Sequence, residues 1–234
     1  MNPIEAQVAL SVVLPAYLEE ENLRFLLPRL LTTLQETGLT HEIVVVDTVE
    51  PLDGTAAVCA QEGARYVNRQ PGNSFGDAVR TGIEQAQGER VIFMDADGSH
   101  TPEFVQQLLN ASAGQDVVIA SRYVEGGFTD NSAALIAMSR LLNWTYSKVL
   151  GLHCKDVSNS FKLYQSHQLK ALNLTCANFD IVEEILHKLN RAKPGLAIRE
   201  IPYSFKQRAF GKTKRNLVVF MFTYLQTIIR LKRS

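Results

Sequence analysis

The stretch Val91–Val105 reads VIFMDADGSHTPEFV, and its reading decides the fold. An apolar run passes directly into Asp95 and Asp97, separated only by Ala96; Gly98 follows, and Thr101-Pro102 has the residue types of an N-cap and a first helical position. An uninterrupted apolar run is what a strand covered on both faces requires. A strand of that kind opening into carboxylates is expected at the mouth of a doubly wound sheet, where ligands sit beyond the carboxyl ends of the strands.

The same alternation extends outward on both sides. Val8–Pro15 is a continuous apolar run, and the stretch that follows has helical periodicity, contains Pro28 and stops at Gly38. Pro28 either kinks this helix or opens its second part. Glu42–Asp47 is a second buried strand, Gly54–Gly63 a short helix, Arg65–Asn68 a third strand and Phe75–Gly88 another helix. Asp116–Arg122 completes a set that implies an α/β, mainly parallel sheet. Asp47, Asp95 and Arg122 end three of these strands and are expected to converge on one crevice.

Beyond Gly126 the pattern changes to an amphipathic helix over Asn131–Leu152, a strand-like SNSFKLY, a helix in NFDIVEEILHKLNRA, and a segment with Pro202 inside it, which reads as an edge or bent strand. The apolar stretch from Leu217 is broken by Gln226 and Arg230 and closed by Lys232 and Arg233. One domain over residues 1–216 with a C-terminal apolar and basic helix over 217–234 is the expected division.

Composition bounds the function classes. The 234 residues carry 24 basic and 24 acidic side chains, so the average gives no sign of nucleic-acid binding. Cys59, Cys154 and Cys176 show no C-x-x-C spacing, which argues against a zinc site or a disulfide framework and suits a reducing cytoplasm. The N-terminus lacks a basic leader, and no window offers the run of apolar residues that a spanning helix needs. A peripheral location on the cytoplasmic membrane face is therefore the expected form of any membrane contact.

In an extended segment Asp95 and Asp97 point to the same side. Carboxylates placed that close repel each other unless a cation lies between them and a ligand. Oxygen donors favour the hard ions Mg²⁺ or Mn²⁺, whose shells are readily completed by diphosphate oxygens. A lone D-x-D is more often a solvated turn or a helix cap, and it is the preceding buried strand that raises the metal reading.

The order of VVLPAYLEEENL, EIVVVD…DGT, GDAVRTGI, FMDADGSHTPEFV, ASRY, SNSFKLY and RAFGKTK resembles family 2 glycosyltransferases of the GT-A fold. The resemblance is strongest to the polyprenol-phosphate (dolichol-phosphate) mannosyltransferase branch and runs from Ser11 to Asn216. It implies a sugar transfer from a nucleotide-sugar, GDP- or UDP-linked, to a lipid-linked phosphate, with inversion. It also implies roles for matching positions. Pro15, Tyr17 and Glu19 cradle the base and ribose; Val45 and Asp47 contact the nucleoside; Asp95, Ala96 and Asp97 form the metal and diphosphate site. Arg122 lies near the acceptor phosphate, with Ser139 and Arg140 in the acceptor region, and Arg208 and Lys214 close over the donor diphosphate. Asp97 and Arg122 are the residues expected to carry catalysis.

The chain departs from that pattern. Thr48 stands where a second aspartate is usual, Ser99 replaces a glutamine that helps hold the metal, and Leu135 replaces an arginine for which Arg140 is the candidate substitute. Ser99 is a smaller metal ligand. His100 reads as a loop residue. Two rival readings stay open: transfer to a sugar hydroxyl, which needs a carboxylate base such as Asp156, Asp130 or Glu125, and a nucleotide-sugar-binding subunit without activity. The helix Ala133–Leu152 and the apolar stretch Leu217–Leu231 either lie in the headgroup interface or pack on the core or in a homodimer.

Overall fold

The computed structural model describes residues 7–205 and 226–232. The chain forms, in order, β1 (Leu10–Pro15), α1 (Glu20–Glu36), β2 (His41–Asp47), α2 (Thr55–Glu62), β3 (Arg65–Asn68), α3 (Phe75–Gln85), β4 (Arg90–Phe93), α4 (Phe104–Asn110) and β5 (Val117–Ser121). Then come β6 (Phe128–Thr129), α5 (Ala133–Leu150), β7 (Lys162–Gln165), α6 (Ser166–Lys170), α7 (Ile181–Ala192), β8 (Ile198–Pro202) and β9 (Ser204–Phe205). The main sheet runs β3-β2-β1-β4-β7-β5-β8. Only β7 is antiparallel to its neighbours β4 and β5.

Alternation along the strands feeds two cores, one on each face. Val13 and Phe93 face the layer built from α3, α5 and α7, while Val12, Leu14 and Ile92 face the layer of α1, α2 and α4. Helix α1 supplies Leu23, Leu26, Leu27, Leu30 and Leu34 at helical spacing, each nearly or fully buried and each stabilising by about 2 kcal/mol as an upper figure. Pro28 lies inside α1, which continues through it to Glu36, and Gly38 takes the left-handed conformation just beyond the end.

Two boundaries differ from the expectation, and the edge strand expected at Pro202 is present. The turn Thr101–Glu103 precedes α4, which starts at Phe104; the carbonyls of Thr101 and Pro102 accept from the amides of Phe104 and Val105, and the Thr101 amide donates to the Tyr203 hydroxyl at 2.9 Å. Tertiary contact with Tyr203 thus replaces the cap that Thr101 was expected to provide. Helix α3 ends at Gln85, and Gly88 instead allows a close crossing, since a Cβ there would sit 2.5 Å from the Ser11 amide nitrogen. Its start is a capping box between Ser74 and Asp77. At Pro202 the chain leaves the sheet edge, and β9 pairs with β6 in a separate ribbon.

Strand order reverses about β1, whose neighbours are β2 and β4. The loops leaving β1 and β4 therefore diverge and leave an open crevice between them. In the C-terminal stretch, residues 226–232 are helical, with Ile228 and Leu231 buried in the α3/α5/α7 core, so this part packs on the domain. Of α5, Leu142, Tyr146 and Leu150 are buried, whereas Leu141 and Trp144 are exposed by 63% and 60%. No helix among the described residues is long and apolar enough to cross a membrane.

Gly76 is where α3 meets the loop before α7: its amide donates to the Ala177 carbonyl at 2.7 Å, and an added Cβ would lie 2.1 Å from the Cys176 carbonyl oxygen. Gly76→Ala is expected to lower stability by about 1–3 kcal/mol through overpacking against rigid backbone, measured as a shift of the urea midpoint at constant slope.

Candidate active site

The crevice is a cleft of about 330 Å³. Pro15, Ala16, Tyr17 and Glu19 form one side, Asp95, Ala96 and Asp97 the floor, and Arg69, Asn73, Phe75 and Phe179 the other side. Of the expected nucleotide-sugar residues that are described, all of those after β1 and β4 line this cleft.

The β1 loop is held from outside. Leu18 adopts a left-handed conformation (φ 57°), a costly choice for a residue with a branched side chain, and this turn leaves Tyr17 46% exposed at the rim. Glu19 accepts from the Asn22 amide at 2.6 Å. Asp53 accepts from the Glu20 amide at 3.1 Å, and Glu20 accepts from the Gly54 amide at 2.8 Å. Arg24 and Gly54 together hold the Glu20 carboxyl below the usual carboxylate range. The Asp53–Thr55 segment is thus the clamp on the start of α1.

Val45 and Asp47 are placed differently from the expectation. Val45 is wholly buried in the α1/α2/α4 core, because odd and even residues of β2 face opposite layers. Asp47 is 1% exposed, accepts from the Tyr66 hydroxyl at 3.1 Å and lies behind the cleft wall. Arg69 stands in front of it, a residue the sequence reading passed over. Its Nε donates to the Asp47 carbonyl at 3.0 Å, Nη1 to those of Asn73 and Ser74 at 3.3 Å, and Nη2 to those of Ala16 and Val46. This guanidinium is 3% exposed and has no carboxylate within ion-pair distance among the described residues. The signal available in the sequence was a charged residue directly after the end of β3.

The two aspartates are oriented by serines. Ser99 donates to Asp97 Oδ1 from both its amide (3.0 Å) and its hydroxyl (2.6 Å), and it is 1% exposed. Ser99 therefore sits behind Asp97 and acts on that carboxylate, which corrects its expected place as a ligand facing the ion. Ser160 donates to Asp95 Oδ1 at 2.9 Å. His100 is also part of the site, for its Nδ1 accepts from the Asp95 amide at 2.9 Å while its ring stacks on Phe161 at 4.6 Å. Burial holds its pKa below the ordinary histidine value, so the ring stays neutral. Among the described residues no three histidine, cysteine or acidic side chains form a closed metal cage.

Arg122 ends β5 apart from the cleft lining. It forms a two-bond pair with Asp156 at 2.7 and 2.8 Å and donates to Ser158 at 3.0 Å. Asp156 is fully buried and also accepts from the Arg122 amide, so it is a structural anion and not the base expected for a hydroxyl acceptor. Asp130 and Glu125 are exposed and do not line the cleft. Tyr123, unremarked in sequence, joins the acceptor-side residues: Arg122 and Arg140 lie 5.1 and 5.6 Å from its ring centre, and its hydroxyl donates to Ser139 at 2.7 Å. Arg208 and Lys214 lie outside the described residues.

Replacing Asp156 by asparagine strips Arg122 of its counter-charge in a nearly water-free setting. A stability loss of about 3 kcal/mol is expected in denaturant unfolding, with no separate loss of nucleotide binding in the molecules that remain folded.

Comparison with known proteins agrees with this geometry. The profile of Glycosyl transferase family 2 matches residues 11–172. The chain is 32% identical over 231 residues to the dolichol-phosphate mannosyltransferase of Pyrococcus furiosus, covering 95% of this chain and 63% of that protein, so it spans a little under two thirds of that relative's length. It is 30% identical over 222 residues to the polyprenol monophosphomannose synthase of Mycolicibacterium smegmatis, covering 87% of this chain and 79% of that one. A crystal structure of glucosyl-3-phosphoglycerate synthase from Mycobacterium tuberculosis, in complex with Mn²⁺, UDP and glucosyl-3-phosphoglycerate, superposes with a TM-score of 0.72 at 21% identity, covering 97% of this chain and 79% of that one. The chain belongs to glycosyl transferase family 2 and has the GT-A fold.

Proposed function

We propose that the protein transfers a sugar, with inversion, from a nucleoside diphosphate donor to the phosphate of a polyprenol-type lipid at a membrane surface. The observation that carries this reading is the placement of Arg140. It stands on α5 with its guanidinium over the Tyr123 ring that Arg122 also meets, and the same helix exposes Leu141 and Trp144. A phosphate head held between two guanidinium groups would leave its hydrocarbon tail along that apolar stripe, and the stripe would rest in the headgroup interface.

The donor side supports the same reading. Asp95 and Asp97 both line the cleft as hard oxygen donors, and each has one oxygen held by a serine. That donor set fits Mg²⁺ or Mn²⁺, with water and diphosphate oxygens completing the shell. Such an ion, when bound, would neutralise the charge that develops on the departing diphosphate. Arg69 adds a buried positive charge to the cleft wall, where an anionic donor gains most from it. Tyr17 at the rim and the Phe75–Phe179 wall exclude water from the bound donor.

On the acceptor side an ionised phosphate oxygen is already a nucleophile, so positioning by Arg122 and Arg140 replaces a general base. Transfer to a sugar hydroxyl would require a base, and Asp156 is committed to Arg122. The unusual residues are accommodated without loss of the site. Thr48 is a buried turn residue whose hydroxyl donates to the Glu50 carbonyl at 2.6 Å, Ser99 orients Asp97, and Arg140 supplies the charge absent at Leu135. This argues for an active enzyme over an inactive binding subunit.

Thermal-shift measurements with UDP and GDP, with and without Mn²⁺, test the donor side; a rise in Tm of several degrees with one nucleotide, larger with the ion, is expected. Asp97→Asn should lower transfer about 100-fold or more while leaving the fold intact by circular dichroism. An unchanged rate would remove Asp97 from the site. Arg140→Ala should raise KM for a polyprenol phosphate about tenfold with kcat little changed; turnover on neutral sugar acceptors alone would overturn the lipid-phosphate reading.

A further inference from the structure

The helical tail, residues 226–232, touches the domain next to one wall of the cleft. Phe75 and Phe179 stack there with ring centres 4.1 Å apart and planes at 18°, and both rings line the cleft. Phe179 belongs to the short loop before α7, which has no secondary structure of its own. Its direction is set by its neighbour Asp180. One oxygen of Asp180 accepts from the Asn178 amide at 3.1 Å. The other accepts from the tail twice, from the Thr227 hydroxyl at 2.7 Å and from Arg230 Nη2 at 2.6 Å. Arg230 also donates to the Cys176 sulfur at 2.7 Å, so one tail side chain grips both ends of the Cys176–Asp180 loop.

We propose that this tail is a positioning element of the donor cleft, and that Arg230 and Thr227, acting through Asp180, set Phe179 against Phe75. The inference rests on the cleft being the donor site. Its physical basis is rigidity. On the α3 side the loop is met by the Gly76 amide at Ala177 and by Arg80 at the Cys176 carbonyl, which fix its first half only. In the half that carries Phe179, the Asn178 and Phe179 carbonyls accept from the Ile181 and Val182 amides of α7 at 3.1 Å, and the tail adds the hold on the Asp180 side chain. Ile228 and Leu231, buried beneath the same helix, hold Arg230 and Thr227 in register with Asp180. A flat apolar wall contributes to affinity only when it is already in place, because ordering it on binding costs the same free energy that its contact returns. With the latch released, Phe179 samples positions off Phe75, and the donor must order it again.

Arg230 and Thr227 are thus positioning residues that touch no donor atom. The tail, which in sequence suggests only a membrane anchor or a core-packing segment, becomes part of the nucleotide site.

Calorimetric titration of the full chain with UDP and with GDP, in the presence of Mn²⁺, tests this. Arg230→Ala and Thr227→Val are each expected to weaken binding of the preferred nucleotide about three- to tenfold, Arg230→Lys to retain most of the affinity, and Phe179→Ala to give a loss that Arg230→Ala does not deepen. Steady-state rates should show donor KM rising more than kcat falls. Unchanged nucleotide affinity in Arg230→Ala and Thr227→Val, with only the melting temperature lowered, overturns the proposal and leaves the tail a purely structural helix. Additive losses in the Phe179 and Arg230 double mutant overturn it as well. Should the unmodified chain bind neither nucleotide, the donor reading of the cleft fails and this proposal fails with it.

Discussion

Two carboxylates at the end of a buried strand depend on what fixes them. Here the fixing groups are neutral hydroxyls: Ser99 holds Asp97 from behind, and Ser160 reaches Asp95 from the loop before β7. Neutral donors orient a carboxylate without cancelling its charge, so both aspartates stay able to attract a cation into the cleft. A lysine or arginine in either place would hold the geometry equally well and remove the attraction. Among the described residues, the guanidinium groups of Arg69 and Arg122 hydrogen-bond to other partners.

Those cations fall into two groups with different partners. Arg69 is buried against five main-chain carbonyls, which satisfy its donors, while the Asp47 and Asp77 carboxylates act on its charge from beyond ion-pair distance. Arg122 is compensated by Asp156 and gains a second guanidinium, Arg140, across the Tyr123 ring. The cleft therefore carries a negative floor and a positive wall. Apart from it, Arg122 and Arg140 meet at the Tyr123 ring, Arg140 in the middle of a helix that exposes Leu141 and Trp144. Lys162, fully buried between Asp156 and Glu183, braces the loop that joins the two sides by donating to the carbonyls of Val157 and Asn159; burial lowers its pKa to about 8.

The loops that form the cleft are stiffened from outside. Across the start of α1, Asp53 accepts from the Glu20 amide and Glu20 from the Gly54 amide, and Gly76 admits the backbone of the loop before α7 to within contact of α3. The tail closes the same loop from the opposite side through Arg230. A cleft bounded by short loops can stay open and still keep its side chains in place when each loop is tied to a helix that belongs to the core.

The doubly wound sheet, its strands and the aspartate pair were legible in the sequence, since strand burial on both faces and helix periodicity are local patterns that a linear chain carries openly. Asp95 and Asp97 could be placed because they follow a buried strand directly, and Pro15, Tyr17 and Glu19 because their motif resembles that of the family. What the linear order hides is which distant residues share a wall. The sequence does not show that Val45 turns into the core, that Arg69 fronts Asp47, or that Tyr123 gathers Arg122 and Arg140. Nor does it reveal that Asp156 is bound to Arg122, or that residues 226–232 seat beside Phe179. These pairings join segments tens of residues apart or depend on which face a side chain takes, and both are decided by how the layers pack.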